Sequence, residues 1–202
     1  RLQGDWSSDV CSSDLGPTRT EISALTGGSA EAWITQQLAE PATLHLPLER
    51  AEYQAVLADA RAAGQSDAQI AQIQNSLGFR RRAWYQAVLN GRDQLRQRVA
   101  FALSQIVVVG DDPFGNGHTE GITNYYDLLV THAFGNYRTL LEQVSRNPIM
   151  GIYLSSLRNA KANPAAGTFP DENYAREVMQ LFSIGLVMLQ PDATLKLGTD
   201  GL

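Results

Sequence analysis

The polar side chains best suited to chemistry are concentrated in one stretch near the carboxyl end of the sequence, residues 169–186. Four of them recur there at helical spacing: Glu172, Asn173, Arg176 and Glu177. Residues four apart are neighbours on a helix, so each glutamate can contact a polar partner one turn away. In a hydrolase-type site, Glu177 would be a general base or metal ligand, Arg176 an anion clamp and Asn173 an orienting group. Glu172 completes the candidate binding groups.

Acid–base or metal chemistry would need a second titratable group, and His132 is the candidate for it. It lies on the apolar face of a helix predicted over residues 119–134, and bundles build their sites on such faces. A structural interpretation stays open for both sets of residues, because a charged helical face is usually solvated. A single histidine on an apolar face is, in the same way, more often a hydrogen-bonded core residue. The chain has three histidines and no zinc-type spacing, so we predict no metal site, and these residues define no cofactor.

Two other segments contain ligand-type residues without a ligand pattern. The loop over residues 111–117 has two aspartates and Asn116, but it lacks EF-hand spacing and the terminal glutamate. His45 is flanked by leucines and a proline in a predicted loop over residues 42–48. We therefore expect His45 to be a surface or packing residue rather than a ligand.

The stretch that carries Glu177 is predicted to be a helix with its own start and stop signals. Pro170 suits the first turn because it has no amide hydrogen to lose there, and Asp171 can accept from the exposed amides. Gly185 is the expected stop. The predicted apolar face recurs at steps of three and four, through Tyr174, Val178, Leu181 and Phe182.

Apolar periodicity and cap residues predict further short helices along the chain. The segment over residues 95–106 has the most regular apolar stripe, so we expect a central, buried helix there that continues through the valines at 107–109. Ser29, Asp93 and Asn136 are expected caps. The helices are predicted over residues 18–25, 30–40, 49–63, 66–77, 79–89, 93–109, 119–134, 137–146 and 149–157.

Composition and pattern together define the fold class. The 202 residues are 44% hydrophobic, which is enough for one domain with a sizeable core. The net charge is −5 and no basic block occurs, so nucleic acid is not a predicted partner. No apolar run is long enough to span a bilayer. We predict an all-α fold, an irregular multi-helix bundle of short helices with no substantial sheet.

The two ends of the chain are expected to be unnatural boundaries. Residues 1–15 read as a translated sequencing adapter, a non-native segment that also contains Cys11, the only cysteine. Residues 16–202 are then a single helical domain that we expect to be truncated at both ends. The true N-terminus would be missing, so the sequence leaves the compartment open and export remains an expectation.

Four blocks, in order, resemble a known family. Residues 169–186 fit the pattern PxENxARExxxLFxxG, and further agreement lies at residues 16–18, at 81–89 with 93–99, and at 125–137. Over nearly all of residues 16–191 the chain resembles the bacterial family catalogued as domain of unknown function 1800. The resemblance implies a mainly helical, often exported protein, with an exported partner protein encoded nearby. It implies no activity, cofactor or catalytic residue.

Two functions follow as expectations. The first is a helical domain of an exported bacterial protein that acts through surface contacts. The alternative is a hydrolase-type enzyme that uses Glu177, Arg176 and Asn173 together with His132. Whether the chain is an enzyme stays open on the sequence alone.

Overall fold

The described part of the chain is helical, as predicted. The computed structural model describes residues 19, 22–23, 28–111, 114–192 and 194–196. Within these residues there are nine α-helices, two short 3-10 helices (Asn116–His118 and Pro164–Ala166) and no β-sheet. None of these helices is long and apolar enough to cross a membrane. The α-helices are α1 (Ala30–Ala39), α2 (His45–Ala62), α3 (Asp67–Ile70), α4 (Leu77–Asn90), α5 (Gln94–Ser104), α6 (Thr119–Thr131), α7 (Tyr137–Arg146), α8 (Pro148–Tyr153) and α9 (Asn173–Gln180).

Several predictions lie outside the described residues. The adapter-like residues 1–15 and most of the helix predicted over residues 18–25 are among them, as are Asp112 in the loop and residues 197–202.

Helix α6 is the centre of the fold. It packs against α2, α4, α5, α7 and α8, and most of its side chains are buried. Its Leu129 and Val130 are fully buried, in one apolar cluster with Leu140 and Val144 of α7 and Met150 of α8. Burial of each such side chain stabilises the fold by about 1.5–3 kcal/mol.

The prediction that the 95–106 segment is the central helix is wrong. Helix α5 ends at Ser104, and Ala102 and Ile106 of the predicted stripe are exposed. Its most deeply buried positions are Gln97 and Ala100, so the face that turns inward is partly polar. The helix does not continue through the valines, and the carbonyl of Val107 accepts from the hydroxyl of Tyr125, at 2.7 Å.

Most predicted caps are confirmed. Ser29 accepts from the amide of Ala32 at 3.1 Å, and Asn136 accepts from the amides of the first turn of α7. The side chain of Asp93 precedes α5 but does not cap it; its carboxylate accepts instead from the backbone amide of Thr43, at 2.9 Å. Capping groups of this kind stabilise a helix by about 1 kcal/mol each.

Between residues 66 and 89 the helix boundaries differ from the prediction. The helix predicted over residues 66–77 is a single turn, α3, which begins with a capping box between Ser66 and Gln69. The chain then turns, and the hydroxyl of Tyr53 on α2 donates to the carbonyl of Ile73 at 2.8 Å. Helix α4 therefore begins at Leu77, two residues earlier than predicted.

Candidate functional site

The predicted site residues on α9 lie on an exposed helix. Arg176 forms an ion pair with Glu172 at 3.3 Å, and both side chains are more than half exposed. The carboxylate of Asp171 accepts from the amide of Asn173 at 2.8 Å, as predicted, but the helix begins at Asn173, so Pro170 is not in its first turn. Among the described residues, no hydrogen bond joins the side chains of Asn173 and Glu177. The arrangement is open to solvent and places one cation and one anion side by side.

Tyrosines hold α9 against α7. The hydroxyl of Tyr174 donates to Ser145, and that of Tyr137 donates to the carbonyl of Phe182, both at 2.5 Å. The helix is shorter than predicted, because it ends at Gln180. Gly185, with φ of +79°, closes the following turn by donating its amide to the carbonyl of Met179.

Glu177 differs from its polar neighbours on α9. Its side chain is half-buried, and one of its carboxylate oxygens is buried without a hydrogen-bond partner among the described residues. A buried carboxylate oxygen without a donor destabilises the fold unless a water molecule, an ion or a ligand interacts with it.

His132 lies in a different part of the molecule. It follows the last residue of α6 and lines a pocket of about 340 Å³ between α2 and α6, together with Leu46, Arg50, Asp127 and Leu128. No residue of α9 lines this pocket. The described contacts therefore do not join His132 to Glu177 or Arg176, and the catalytic roles of these residues stay predictions.

Asp127 is the buried carboxylate of this pocket, and it caps a helix other than its own. Its two oxygens accept from the backbone amides of His45, at 2.7 Å, and Leu46, at 2.9 Å, which are the first two residues of α2. Burial raises the pKa of Asp127, although these two hydrogen bonds oppose the shift. This contact explains why α2 begins at His45, where the sequence predicted a loop.

His45 is buried in a polar chain that links α2 to α5. Its Nε2 lies 2.9 Å from Oε1 of Gln97, and the amide nitrogen of Gln97 donates to Thr43 and to Asp93. Because the amide nitrogen of Gln97 faces these oxygens, its oxygen faces the ring, and Nε2 carries the hydrogen. Burial lowers the pKa of His45. The expectation of a packing residue is confirmed, while the surface alternative is wrong.

Glu49, which lies on α2, is another fully buried carboxylate. It accepts from Asn75, at 2.6 Å, and from the hydroxyl of Thr123 on α6. All these buried groups are thus engaged in holding helices together. Among the described residues, no three His, Cys, Asp or Glu side chains are arranged to hold a metal ion.

Sequence reasoning did not identify Glu49, Gln97 or Asp127 as buried polar residues. Asp127 offered one signal, since it is a single charge inside the otherwise apolar run of residues 125–130. Glu49 and Gln97 offered none, because glutamate and glutamine are ordinary on solvated helices.

These contacts define an all-α fold whose interior polar residues connect its helices. The family model described as "Protein of unknown function (DUF1800)" matches residues 13–194, and the chain belongs to this family. No curated protein and no solved structure matches the chain.

The neutral state of His45 predicts a pH-dependent stability. The unfolded chain binds a proton near the ordinary imidazole pKa of about 6.5, whereas the folded chain binds it only at lower pH. The free energy of unfolding should therefore fall as the pH drops from about 7.5 to 5.5, by up to about 1.4 kcal/mol per pH unit. Urea unfolding across this range measures it.

The variant His45→Gln separates this effect from that of Asp127. The raised pKa of Asp127 makes the free energy of unfolding rise as the pH drops, which is the opposite change. The variant should lose most of the dependence, while His118→Gln, at an exposed histidine, should keep it. Equal pH slopes for the wild type and His45→Gln would contradict the assignment.

The exposure of α9 predicts small stability changes there. Arg176→Ala should change the free energy of unfolding by less than about 0.5 kcal/mol, because exposed ion pairs contribute little. Glu177→Gln should leave stability unchanged or raise it, because it removes a charge whose buried oxygen has no donor. Thermal unfolding measures both. A loss of about 3 kcal/mol or more would assign these residues to the fold instead.

Proposed function

We propose that this chain is a helical domain of an exported bacterial protein that acts through surface contacts, and that it binds an extended polypeptide. The proposal rests on one observation, the exposed apolar segment after α9. Every apolar side chain in the following group is more than half exposed: Leu181, Ile184, Leu186, Val187, Met188, Leu189 and Leu195. Single exposed apolar residues are ordinary, but a contiguous set is typical of an interaction surface.

The backbone of this segment supports an extended partner. Leu189 and Leu195 form an antiparallel bridge, flanked by the bonds Gln190 N–H to Thr194 and Lys196 N–H to Met188, both at 2.8 Å. A pair flanked in this way is not itself hydrogen-bonded, so its N–H and C=O groups point to the outer edges. No described residue accepts from the amide of Leu189. A free strand edge of this kind can pair with another strand.

A polypeptide fits this surface better than a lipid bilayer does. The free backbone groups of Leu189 would be left without partners in hydrocarbon, which is costly. Lys196 is the only basic residue in residues 177–196, so attraction to anionic lipids is weak. An exported protein encoded nearby, which the family resemblance implies, is the kind of partner we propose.

A hydrolase is the second candidate function. The observation in its favour is the buried, unpartnered carboxylate oxygen of Glu177, which a substrate or metal could engage. Its weakness is that no described contact connects Glu177 with His132. A hydrolase should lose activity in Glu177→Gln, whereas polypeptide binding by the later segment should not depend on Glu177.

Selection of peptides tests the binding proposal. Random twelve-residue peptides displayed on phage should be enriched by the immobilised chain, and the enriched sequences should alternate apolar and polar residues. Fluorescence anisotropy should show affinity at least about tenfold lower for Leu186→Asp/Met188→Asp, because two apolar contacts are lost. Methylation of alternate peptide amides should abolish binding, because it removes the strand donors.

The matched control is Leu38→Asp/Leu89→Asp, which changes two exposed leucines on α1 and α4. This control should bind like the wild type. The proposal is wrong if nothing is enriched, or if enriched peptides bind the two double variants and the methylated peptides equally well.

A further inference from the structure

A second pocket lies on the surface formed by α4, α5 and α6. It encloses about 310 Å³, at the lower end of the range for small-molecule sites. Its lining combines cations with aromatic rings, from Arg80, Arg81, Trp84, Tyr85, Phe101 and Tyr126. It shares no lining residue with the pocket beside His132 and does not involve the segment after α9.

Two residues that line the pocket have buried donors without acceptors. The side chain of Tyr126 is 7% exposed, and no described residue accepts from its hydroxyl. The Nε of Arg80 is likewise buried and unpartnered. Burial raises the pKa of Tyr126 against the smaller opposing effects of a side-chain hydrogen bond from Trp84 and of the charge on Arg80, so the hydroxyl keeps its hydrogen at neutral pH. A buried donor of this kind is stabilised by an acceptor that enters the pocket.

The charged side chains around the pocket favour a ligand with a single negative charge. Arg80 and Arg81 share one carboxylate, that of Asp111, at 3.0 and 3.4 Å. Glu49, which also acts on Arg80, is fully buried, holds Asn75 and Thr123, and does not line the pocket. Arg81 is 62% exposed, so one cation remains available to a ligand at the rim. A monoanion matches this balance.

The aromatic rings define the rest of the ligand. Trp84 lies edge-on to Tyr85, with ring centroids 5.2 Å apart, and 6.2 Å from the ring of Phe101. Tyr85 and Phe101 are each at least half exposed, at 58% and 50%. Exposed rings around a buried donor offer apolar faces on which a flat group can stack.

We infer that this pocket binds a small aromatic carboxylate. The carboxylate accepts from the hydroxyl of Tyr126 and from the guanidinium groups of Arg80 and Arg81, whose planar donors suit a carboxylate. The ring of the ligand packs against Trp84 and Phe101. This site goes beyond the polypeptide binding proposed above and does not depend on it.

Calorimetric titration of the chain with 2-naphthoate tests the inference. Binding should saturate at one site, and the neutral analogue 2-naphthamide should bind at least about tenfold more weakly, because it lacks the charge that the arginines recognise. Tyr126→Phe should weaken 2-naphthoate binding about tenfold while keeping the ring and the fold. Arg81→Gln, at an exposed position that does not disturb the core, should weaken it by a similar factor.

Tyr137→Phe is the matched control, because it removes a hydroxyl on α7, outside the pocket. It should bind 2-naphthoate like the wild type. Circular dichroism confirms that each variant is folded. No saturation up to about 10 mM, equal affinity for the acid and the amide, or unchanged affinity in both Tyr126→Phe and Arg81→Gln would each overturn the inference.

Discussion

The first two amides of α2 depend on one carboxylate of α6. Helix starts expose backbone N–H groups that need acceptors, and α2 begins at His45 without a side-chain cap of its own. Asp127 supplies both acceptors from across the core, at 2.7 and 2.9 Å. The same junction places the ring of His45 against Gln97, which binds Asp93 in turn. Asp127 and His45 thus join α2 to α6 and to α5 at one junction.

The buried polar residues are occupied by contacts within the fold, so we propose that function lies at the surface. A buried polar network stabilises a fold when every member has a partner, and Asp127, His45, Gln97 and Glu49 each have theirs. Their chemistry is used within the fold. The neighbour of Asp127 on α6, Tyr126, is different, because its hydroxyl is buried and no described residue accepts from it. The apolar side chains after α9 are likewise left exposed by the described part of the chain.

The sequence predicted the fold class and most caps because those depend on local chemistry. Ser29 and Asn136 cap the helices that follow them, and neither needs a tertiary contact to do so. The start of α2 could not be predicted, since its acceptor, Asp127, is 82 residues from His45 along the chain. For the same reason the apolar stripe of α5 was misleading, because Gln97 on that helix is buried by distant partners. The polar candidate residues on α9 were predicted from their helical spacing, and this spacing does not indicate whether their side chains are exposed.

The most direct test of the account is the unfolding free energy of Asp127→Ala in urea, compared with Asp59→Ala, an exposed aspartate on α2. Removing Asp127 leaves two amides at the start of α2 without acceptors, which should cost about 2 kcal/mol or more. Asp59→Ala should stay within about 0.5 kcal/mol of the wild type. A loss of that size, specific to Asp127, is the predicted result. Equal stability of the two variants would contradict the claim that this carboxylate organises the fold.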